Sequence, residues 1–443
     1  MERQRSHFAT GETREVGGRV AALRRLEVGL MERREDLCAA LESDLGKPEI
    51  EVFLAEYHFL LGEIRQVCRH LKRWLRPRKV GAPFYFQPSR NRILREPFGV
   101  ALVIAPWNYP VQLALAPLIA AVAAGNTVVL KPSEMSPASA AFLNDLVGAC
   151  FNPKHVAVVN GGVEVAEELL EQRFDFVFFT GSTEVGRVVA RKAAGHLTPC
   201  VLELGGKCPC VVDRNVDVSI AARRILIGKL FNAGQTCFAP DFVAVHRDMR
   251  KKLVEALASL LEELPWEEEM ARVVNKRHYQ RLLGLVAGRE IRKGEDDAER
   301  LHFAPRILPE AGWEDAAMRE EIFGPILPVV EFADREELTD RLLERSSPLA
   351  LYVFSRNDEF VDALMDRVPS GSVCINDVAK QSTNLDLPFG GVGASGYGRY
   401  RGRAGVESFT YERSVTKRYF LRDFFETLPP RGEKLEFLKK WMK

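Results

Sequence analysis

The chain has 443 residues, of which 46% are hydrophobic and 28% charged, as is ordinary for a globular protein of two or more domains. Its formal net charge is +1, which gives no reason to expect a nucleic-acid partner or binding to an anionic membrane surface. Eight scattered cysteines, an N-terminus without an apolar signal sequence and no apolar window long enough to span a bilayer predict a reduced, cytoplasmic protein without an integral membrane segment.

The spacing of apolar residues and the composition change near residue 76. Residues 13–75 carry apolar side chains at helical spacing with charges between them, which predicts a set of helices. Residues 76–99 are rich in proline, arginine and aromatic side chains, which favours an extended hairpin or arm.

Short apolar runs then alternate with helical segments. Because each run is nearly all apolar, we interpret them as strands buried on both faces of a doubly wound parallel sheet, an α/β fold of the Rossmann type. These runs are "VALVIAP", "TVVLKPS", "HVAVVNGG", "FDFVFFTGS" and "CVLELGGK". A second series of the same kind, "CPCVVD", "DFVAVH", "PILPVVEF", "LALYVFS" and "GSVCIN", predicts a second α/β domain.

Two glycine-bearing segments compete as the phosphate site of a dinucleotide. "GVGASG" (391–396) matches G-x-G-x-x-G, but it neither follows a predicted strand nor opens a helix, and we reject it on that context. "TGSTEVG" (180–186) follows the fourth strand and opens a helix, so its backbone N–H groups can bind a pyrophosphate. On the motif alone, a plain turn between strand and helix is an equally good interpretation.

Lys131 in "VVLKPSE" stands at the carboxyl end of the second predicted strand, where open α/β sheets bind ligands. A lysine there can bind either a ribose hydroxyl or a 2′-phosphate, whereas the nearby Glu134 favours the unphosphorylated ribose. The choice between NAD and NADP therefore stays open, and a lone lysine at a strand end is also commonly a solvated surface residue.

Cys237 lies in a polar, glycine-containing loop, "FNAGQTC", directly after a predicted amphipathic helix. A thiolate nucleophile needs an exposed, electropositive position, and we predict that role for Cys237; an inert, half-buried thiol is the alternative. Most other cysteines fall on helical stripes or in apolar runs. A metal site built on Cys200, Cys208 and Cys210 is weakly supported, because no second pair of ligands accompanies them.

Two further polar residues leave strands at the same predicted edge. Asn108 in "APWNYP" is a suitable amide donor to an oxyanion, and Glu203 in "LELGGK" is a carboxylate in apolar surroundings whose pKa should rise toward that of a general base. Asn108 could instead cap a helix, and Glu203 could be paired with a Lys or Arg. With a loop thiol, however, they make up a nucleophile, an oxyanion donor and a base.

The motifs "APWNYP", "LKPSE", "FTGSTEVG", "LELGGK", "NAGQTC", "EEIFGP" and "LPFGGVGASGYGRY" occur in this order across most of the chain. In them the chain resembles the aldehyde dehydrogenases, and it is most similar to class 3. The resemblance implies that Cys237 is the nucleophile, Glu203 the general base and Asn108 the oxyanion donor. It also implies that NAD or NADP is bound by Lys131, Glu134, Gly181, Ser182, Thr183, Glu184, Val185, Gly186, Gly205, Glu321 and Phe323. Ala233 and Cys208 stand where we would expect Ser or a similar residue, and neither change removes a reacting group.

The resemblance further implies NAD(P)-dependent oxidation of a medium- or long-chain aliphatic or aromatic aldehyde to its acid, through a cysteine thiohemiacetal and thioester. We expect residues 1–79 and 99–205 to form the dinucleotide-binding domain and residues 206–405 the catalytic domain. Residues 80–98 and 406–443 are expected to form bridging and dimerisation segments with a C-terminal tail, and hence a homodimer. Thioester transfer to coenzyme A or phosphate, and a non-enzymatic role on the same fold, are the alternatives.

Overall fold

The computed structural model describes residues 1–263, 265–266, 269–286, 288–421 and 431–441, without the side chains of residues 433 and 441. A π-helical turn, Val52–His58, joins the fourth and fifth helices. The α-helices are α1 (Glu2–Ala9), α2 (Val16–Glu32), α3 (Arg34–Leu45), α4 (Glu49–Glu51), α5 (Phe59–Trp74), α6 (Gln112–Ala124), α7 (Pro137–Cys150), α8 (Val163–Glu171), α9 (Thr183–Gly195), α10 (Val218–Leu230), α11 (Arg247–Glu263), α12 (Lys276–Leu283), α13 (Ala316–Arg319), α14 (Arg335–Leu343), α15 (Asp358–Arg367), α16 (Lys380–Thr383), α17 (Gly402–Ser408) and α18 (Gly432–Trp441).

The strands fall into three sheets. They are β1 (Arg78–Val80), β2 (Ser89–Pro97), β3 (Val100–Ile104), β4 (Thr127–Lys131), β5 (Val156–Val158), β6 (Phe176–Gly181), β7 (Cys200–Leu204), β8 (Pro209–Val212), β9 (Phe242–His246), β10 (Ile291–Arg292), β11 (Arg306–Leu308), β12 (Ile326–Phe332), β13 (Ala350–Phe354), β14 (Ser372–Ile375), β15 (Gly396–Tyr397) and β16 (Thr410–Arg418).

The first sheet has the order β15-β7-β6-β3-β4-β5, with β3 to β7 parallel and β15 antiparallel at one edge. All five residues of β3 are buried, and they alternate between the two faces. Val100 and Leu102 pack with Val189 of α9, whereas Ala101 and Val103 pack with the helices of the opposite layer. A strand apolar on both faces therefore receives helices on both faces, and the predicted doubly wound α/β fold is confirmed.

The second sheet has the order β10-β11-β12-β9-β8-β13-β14 and is parallel apart from β10. The five apolar runs of the second series form β8, β9, β12, β13 and β14. β10 and β11 were not predicted from the sequence, because strands of two and three residues are too short to show a recognisable pattern.

The segment predicted to be an extended arm forms a separate three-stranded antiparallel sheet, in the order β1-β2-β16. β2 and β16 pair along their whole length, from Thr410 opposite Pro97 to Arg418 opposite Ser89. Residues 422–430 and 442–443 of the predicted tail lie outside the described residues.

The carboxyl ends of β3, β4, β6 and β7 meet at one edge of the first sheet, since these strands are parallel neighbours. In the register, Ile104 is opposite Lys131, and Thr180 is opposite Glu203. The proposed domain boundary at residue 205 stays a prediction. Later parts of the chain return to the first half, because β15 pairs with β7 and α17 packs on α6.

Candidate active site

Cys237 follows α10 on an irregular loop, as the sequence predicted for its position. α10 ends at Leu230, and the next residues include a run with positive φ, at 54° for Asn232, 52° for Ala233 and 72° for Gly234. Such angles are costly for residues with a Cβ and persist only where the surroundings hold the loop firmly. The backbone therefore turns sharply and presents the partly exposed Cys237 thiol to the cavity described below.

Hydrogen bonds from buried amide side chains fix this loop. Asn232 donates from its backbone to Glu51 Oε2 over 2.9 Å, and its side chain donates to the carbonyl oxygens of Asn108 and Gln235. Gln235 in turn donates to the carbonyl of Arg272 over 2.9 Å. Asn232 and Gln235 thus position the segment that carries Cys237.

The side chain of Asn108 is 4% exposed and reaches the same loop. Its Nδ2 donates to the carbonyl oxygen of Gln235 over 2.9 Å. An amide nitrogen has two hydrogens, so this bond orients the group and leaves the second hydrogen for another acceptor. Asn108 does not start a helix, because α6 begins only at Gln112.

A buried ion pair anchors the segment around Asn108. This pair was not predicted from the sequence. Lys47 Nζ lies 2.7 Å from Glu56 Oε1 and 3.0 Å from the carbonyl oxygen of Asn108. The other oxygen of Glu56 accepts the N–H groups of Val111 and Gln112 at the start of α6. In the sequence, Lys47 and Glu56 resemble ordinary surface charges among helices, and a glycine-proline flank at Lys47 was the only local signal.

Glu203 is the fourth residue of β7 and is 3% exposed. Neither carboxylate oxygen has a hydrogen-bond partner among the described residues. Burial raises the pKa of Glu203 well above its usual value, and the charges of Arg401 and Arg399 only partly oppose this. The expected apolar setting is therefore present, whereas the alternative of a closely paired structural carboxylate finds no support among the described contacts.

The surroundings of the Cys237 thiol differ from the electropositive position that was predicted from the sequence. Burial, followed by the nearby carboxyl groups of Glu321 and Glu203, raises the pKa of Cys237 to about 12, and Arg401 opposes the shift. Two carboxyl groups beside one guanidinium make ionisation of the sulfur costly. Without bound ligands, this thiol is therefore protonated at neutral pH.

Cys237 and Glu203 line the same cavity, which has a volume of about 790 Å³. Most of its wall is apolar or aromatic, including Leu113, Ile227, Phe231, Phe238, Leu349 and Phe389. Asn108 is not among the residues that line this cavity; its side chain contacts the loop that carries Cys237 by donating to the carbonyl oxygen of Gln235. A cysteine thiol, a carboxyl group without a hydrogen-bond partner among the described residues and a largely apolar wall form a site that suits an apolar electrophile.

The first turn of α9 has the features that a pyrophosphate needs. Ser182 caps the helix by accepting the N–H of Val185, and the helix geometry leaves the earliest N–H groups without backbone partners. A Cβ added to Gly186 would lie 2.5 Å from Leu204 Cδ2, so the glycine allows the helix to approach β7.

The other residues of this turn differ in their contacts. Glu184 pairs with Arg187 on the surface, and Val185 is 49% exposed. Thr183 donates to the carbonyl of Ala394 over 3.1 Å. A Cβ on Gly181 would meet the ring of Phe179.

"GVGASG" forms a 3₁₀ turn and then β15 at the sheet edge. It opens no helix, so the reason for rejecting it as a dinucleotide fingerprint holds. The same segment nevertheless contacts the start of α9 through the bond from Thr183 to Ala394.

Lys131 ends β4 and is 3% exposed, so it is not a solvated surface lysine. Its Nζ donates to Glu134 Oε2 over 2.8 Å. Burial alone would raise the pKa of Glu134, but the hydrogen bond from Lys131 lowers it below its usual value. The pair places a cation and an ionised carboxylate where polyol or phosphate groups of a cofactor can bind.

Glu321 lies against Gly205, in the space that a Cβ on that glycine would fill. Burial and the charge of Asp241 raise the pKa of Glu321 to about 8. Asp241 accepts the N–H of Ile322 over 3.0 Å and the ammonium group of Lys207 over 2.5 Å, which fixes the segment next to Glu321.

Phe323 has a φ of 50°, and its ring packs edge-on against Trp107. The segment that places Glu321 against Gly205 is therefore held by the contact of Asp241 with Ile322 and by the contact of Phe323 with Trp107. Together with α9 and Lys131 they fit a dinucleotide that extends along the carboxyl edge of the first sheet.

Among the described residues, no group of three or more His, Cys, Asp and Glu side chains is arranged to hold a metal ion. No described helix combines the length and apolar character needed to cross a bilayer.

Known proteins of similar sequence and structure identify the family. The aldehyde dehydrogenase family model matches residues 2–415. The chain is 36% identical to 4,4'-diaponeurosporen-aldehyde dehydrogenase of Staphylococcus aureus, covering 99% of this chain and 97% of the relative. It is 39% identical to the dimeric NADP-preferring aldehyde dehydrogenase of Canis lupus familiaris, covering 96% and 95%. The solved substrate-bound state of Staphylococcus aureus AldH superposes with a TM-score of 0.95 at 36% identity, covering 100% of this chain and 98% of that one.

The chain therefore belongs to the aldehyde dehydrogenase family. Within it, relatives at 38% to 40% identity over at least 94% of the chain are members of aldehyde dehydrogenase family 3, so the resemblance to class 3 is confirmed. The protein is an NAD(P)-dependent aldehyde dehydrogenase. The canine relative is named as NADP-preferring. A solved NAD+ complex of Bacillus cereus aldehyde dehydrogenase has the same fold, with a TM-score of 0.85 at 27% identity over 94% of this chain and 87% of that one.

Proposed function

We propose that the protein oxidises medium- or long-chain aliphatic or aromatic aldehydes to carboxylic acids through an acyl intermediate on Cys237. The observation that carries the proposal is the cavity of about 790 Å³, which places Cys237 and Glu203 on one largely apolar wall. The Staphylococcus aureus relative is named as a 4,4'-diaponeurosporen-aldehyde dehydrogenase, and its dehydrogenation of an aldehyde supports the same reaction here.

The addition step uses Cys237 and Asn108. Cys237 Sγ loses its proton to solvent water and bonds to the aldehyde carbon, and the carbonyl oxygen becomes an alkoxide. The second hydrogen of Asn108 Nδ2 and the backbone N–H of Cys237 are the proposed donors to this oxygen; the bond from Asn108 to Gln235 orients the amide beforehand. When bound, NAD(P)+ would supply the acceptor for the hydride lost from this carbon, and the acyl group would remain on Cys237 as a thioester.

Glu203 is the proposed base of the hydrolysis step. Its carboxylate takes a proton from water, the resulting hydroxyl adds to the thioester, and the carbon–sulfur bond breaks to release acid and thiolate. A buried carboxyl group with a raised pKa accepts a proton more readily near neutral pH than an exposed one does. Hydrolysis by this base also favours water over coenzyme A or phosphate as the acceptor.

The testing experiment follows cofactor reduction with a series of aldehydes of increasing chain length, with NAD and NADP in parallel. Each methylene buried in the apolar cavity should raise kcat/KM about fourfold, since it contributes about 0.8 kcal/mol, until the cavity is filled. Acid should form without any added acyl acceptor.

Cys237→Ala should abolish turnover. The matched control is Cys68→Ala, a half-buried cysteine on α5 that should leave turnover unchanged. Turnover retained by Cys237→Ala, or no cofactor reduction with any aldehyde, would contradict the proposal.

A further inference from the structure

Arg401 is a buried cation on the wall of the active-site cavity, and the steps described above do not use it. It is 4% exposed and lines the same cavity as Cys237 and Glu203. Its Nε has no hydrogen-bond partner among the described residues. A buried guanidinium with incomplete hydrogen bonding is costly, so its presence at this site calls for a role.

Three aromatic rings hold the guanidinium. Its central carbon lies 4.3 Å from the ring centroid of Phe389, 4.7 Å from that of Phe59 and 5.5 Å from that of Tyr400. Aromatic faces stabilise a cation without neutralising its charge, in contrast to a carboxylate. Arg401 therefore keeps its full positive charge next to the cavity.

The backbone at Arg401 is strained in a way that fixes the side chain. Its φ is 79°, an unfavourable value for a residue with a Cβ, and the N–H of the next residue, Gly402, donates to buried Glu63 over 2.7 Å. Strain of this kind persists only where the surrounding structure holds the residue in place.

The charges that face the Cys237 thiol come from several elements. Glu203 on β7 and Glu321 before Phe323 oppose its ionisation, and Arg401 is the cation that favours it. The remaining titratable neighbours are Tyr109, Cys208 and Tyr400, and burial raises the pKa of each.

We propose that Arg401 is a positioning residue that supplies the positive charge beside which the Cys237 thiol gives up its proton. The inference rests on the proposed role of Cys237 as nucleophile. It assigns to Arg401 the electrostatic attraction that favours the thiolate, whereas burial and the carboxyl groups of Glu321 and Glu203 disfavour it.

The experiment measures the rate at which iodoacetamide alkylates Cys237 as a function of pH, with the modified peptide identified by mass spectrometry so that the other cysteines do not interfere. Iodoacetamide is uncharged and reacts with the thiolate. Arg401→Gln should slow alkylation near neutral pH about tenfold or more and move the profile to higher pH, since each pKa unit changes the thiolate fraction tenfold. Arg401→Lys keeps a charge and should recover most of the rate.

Arg403→Gln is the matched control. Arg403 lies two residues further on, is exposed and pairs with Glu407 outside the cavity, so its removal should leave the profile unchanged. An unchanged profile in Arg401→Gln would overturn the inference. If Arg401→Gln did not fold, a profile in Arg401→Lys displaced upward by a unit or more would overturn it as well.

The two proposals fail in different ways. An unchanged alkylation profile in Arg401→Gln, with turnover still dependent on Cys237, would reject the role of Arg401 alone. Turnover in Cys237→Ala would reject the proposed function whatever the alkylation rates are.

Discussion

The carboxyl group of Glu203 combines deep burial with two unsatisfied oxygens, a costly state for an ionised side chain. Because its pKa is raised well above its usual value, Glu203 becomes an ionised base only as the pH rises through this higher value. The steady-state rate should therefore fall on the acidic side at a pH well above that of an exposed glutamate.

Glu203→Gln keeps the size of the side chain and removes the base. We expect a first turnover of reduced cofactor to persist while the steady-state rate falls by about two to four orders of magnitude, the usual contribution of a general base. The acidic limb of the pH profile should disappear from what remains. Rapid-mixing absorbance measurements separate the two phases, and loss of the first turnover as well would show that Glu203 also deprotonates Cys237.

At the scale of elements, the contact between α9 and β7 decides whether the helix start reaches its proposed ligand. Gly186→Ala would place a methyl group against buried Leu204, displacing the first turn of α9. Overpacking of this kind costs about 1–3 kcal/mol. We expect a lower free energy of unfolding and a KM for NAD(P) raised about tenfold or more.

Gly195→Ala tests the same helix at its other end. A Cβ there would meet nothing within 4 Å, so both stability and cofactor KM should stay close to those of the unchanged protein. Urea unfolding and steady-state kinetics of the two variants provide the comparison. Equal KM values in the two would contradict a role for the α9 start in cofactor binding.

The long strands of both main sheets could be predicted because burial on both faces leaves a continuous apolar run, as in β3. β10 and β11 could not, since two or three residues show no period. Val185 illustrates another limit: it lies one helical turn before buried Val189 on α9, yet it is 49% exposed.

For the site, the residues that follow strands or enter a glycine-rich loop were recognisable from local sequence. Lys47, Glu56 and Arg401 were not, because each acts on a segment far away in the chain. Lys47 contacts the carbonyl of Asn108, and Arg401 lies on rings from α5 and from Phe389. A buried charge is indistinguishable in sequence from a solvated one until its distant partners are known.

At the scale of the whole molecule, the β1-β2-β16 sheet is where we expect a second copy to bind. Apolar side chains are exposed at the end of β1 and in the segment between β1 and β2, with Val80 at 42%, Phe84 at 56% and Phe86 at 49%. The canine relative is named as dimeric, in keeping with the homodimer that we propose.

Phe86→Asp should weaken that dimer at least tenfold, because a carboxylate would have to be desolvated in an apolar contact. The control is Leu197→Asp, a 92% exposed position on the connection between α9 and β7. Light scattering after size-exclusion chromatography over a dilution series measures the mass of each. A mass that responds equally to both changes, or to neither, would place the interface elsewhere.

The pairing of β15 with β7 also bears on how the chain is made. Glu203 in β7 is matched with Gly396, about 190 residues later, so most of the second half must leave the ribosome before that edge is covered. At about 5–20 residues per second, the nascent first sheet waits about 10–40 s with an open strand. An unpaired edge invites association with other chains, and synthesis of this enzyme should therefore depend on chaperones that shield nascent strands.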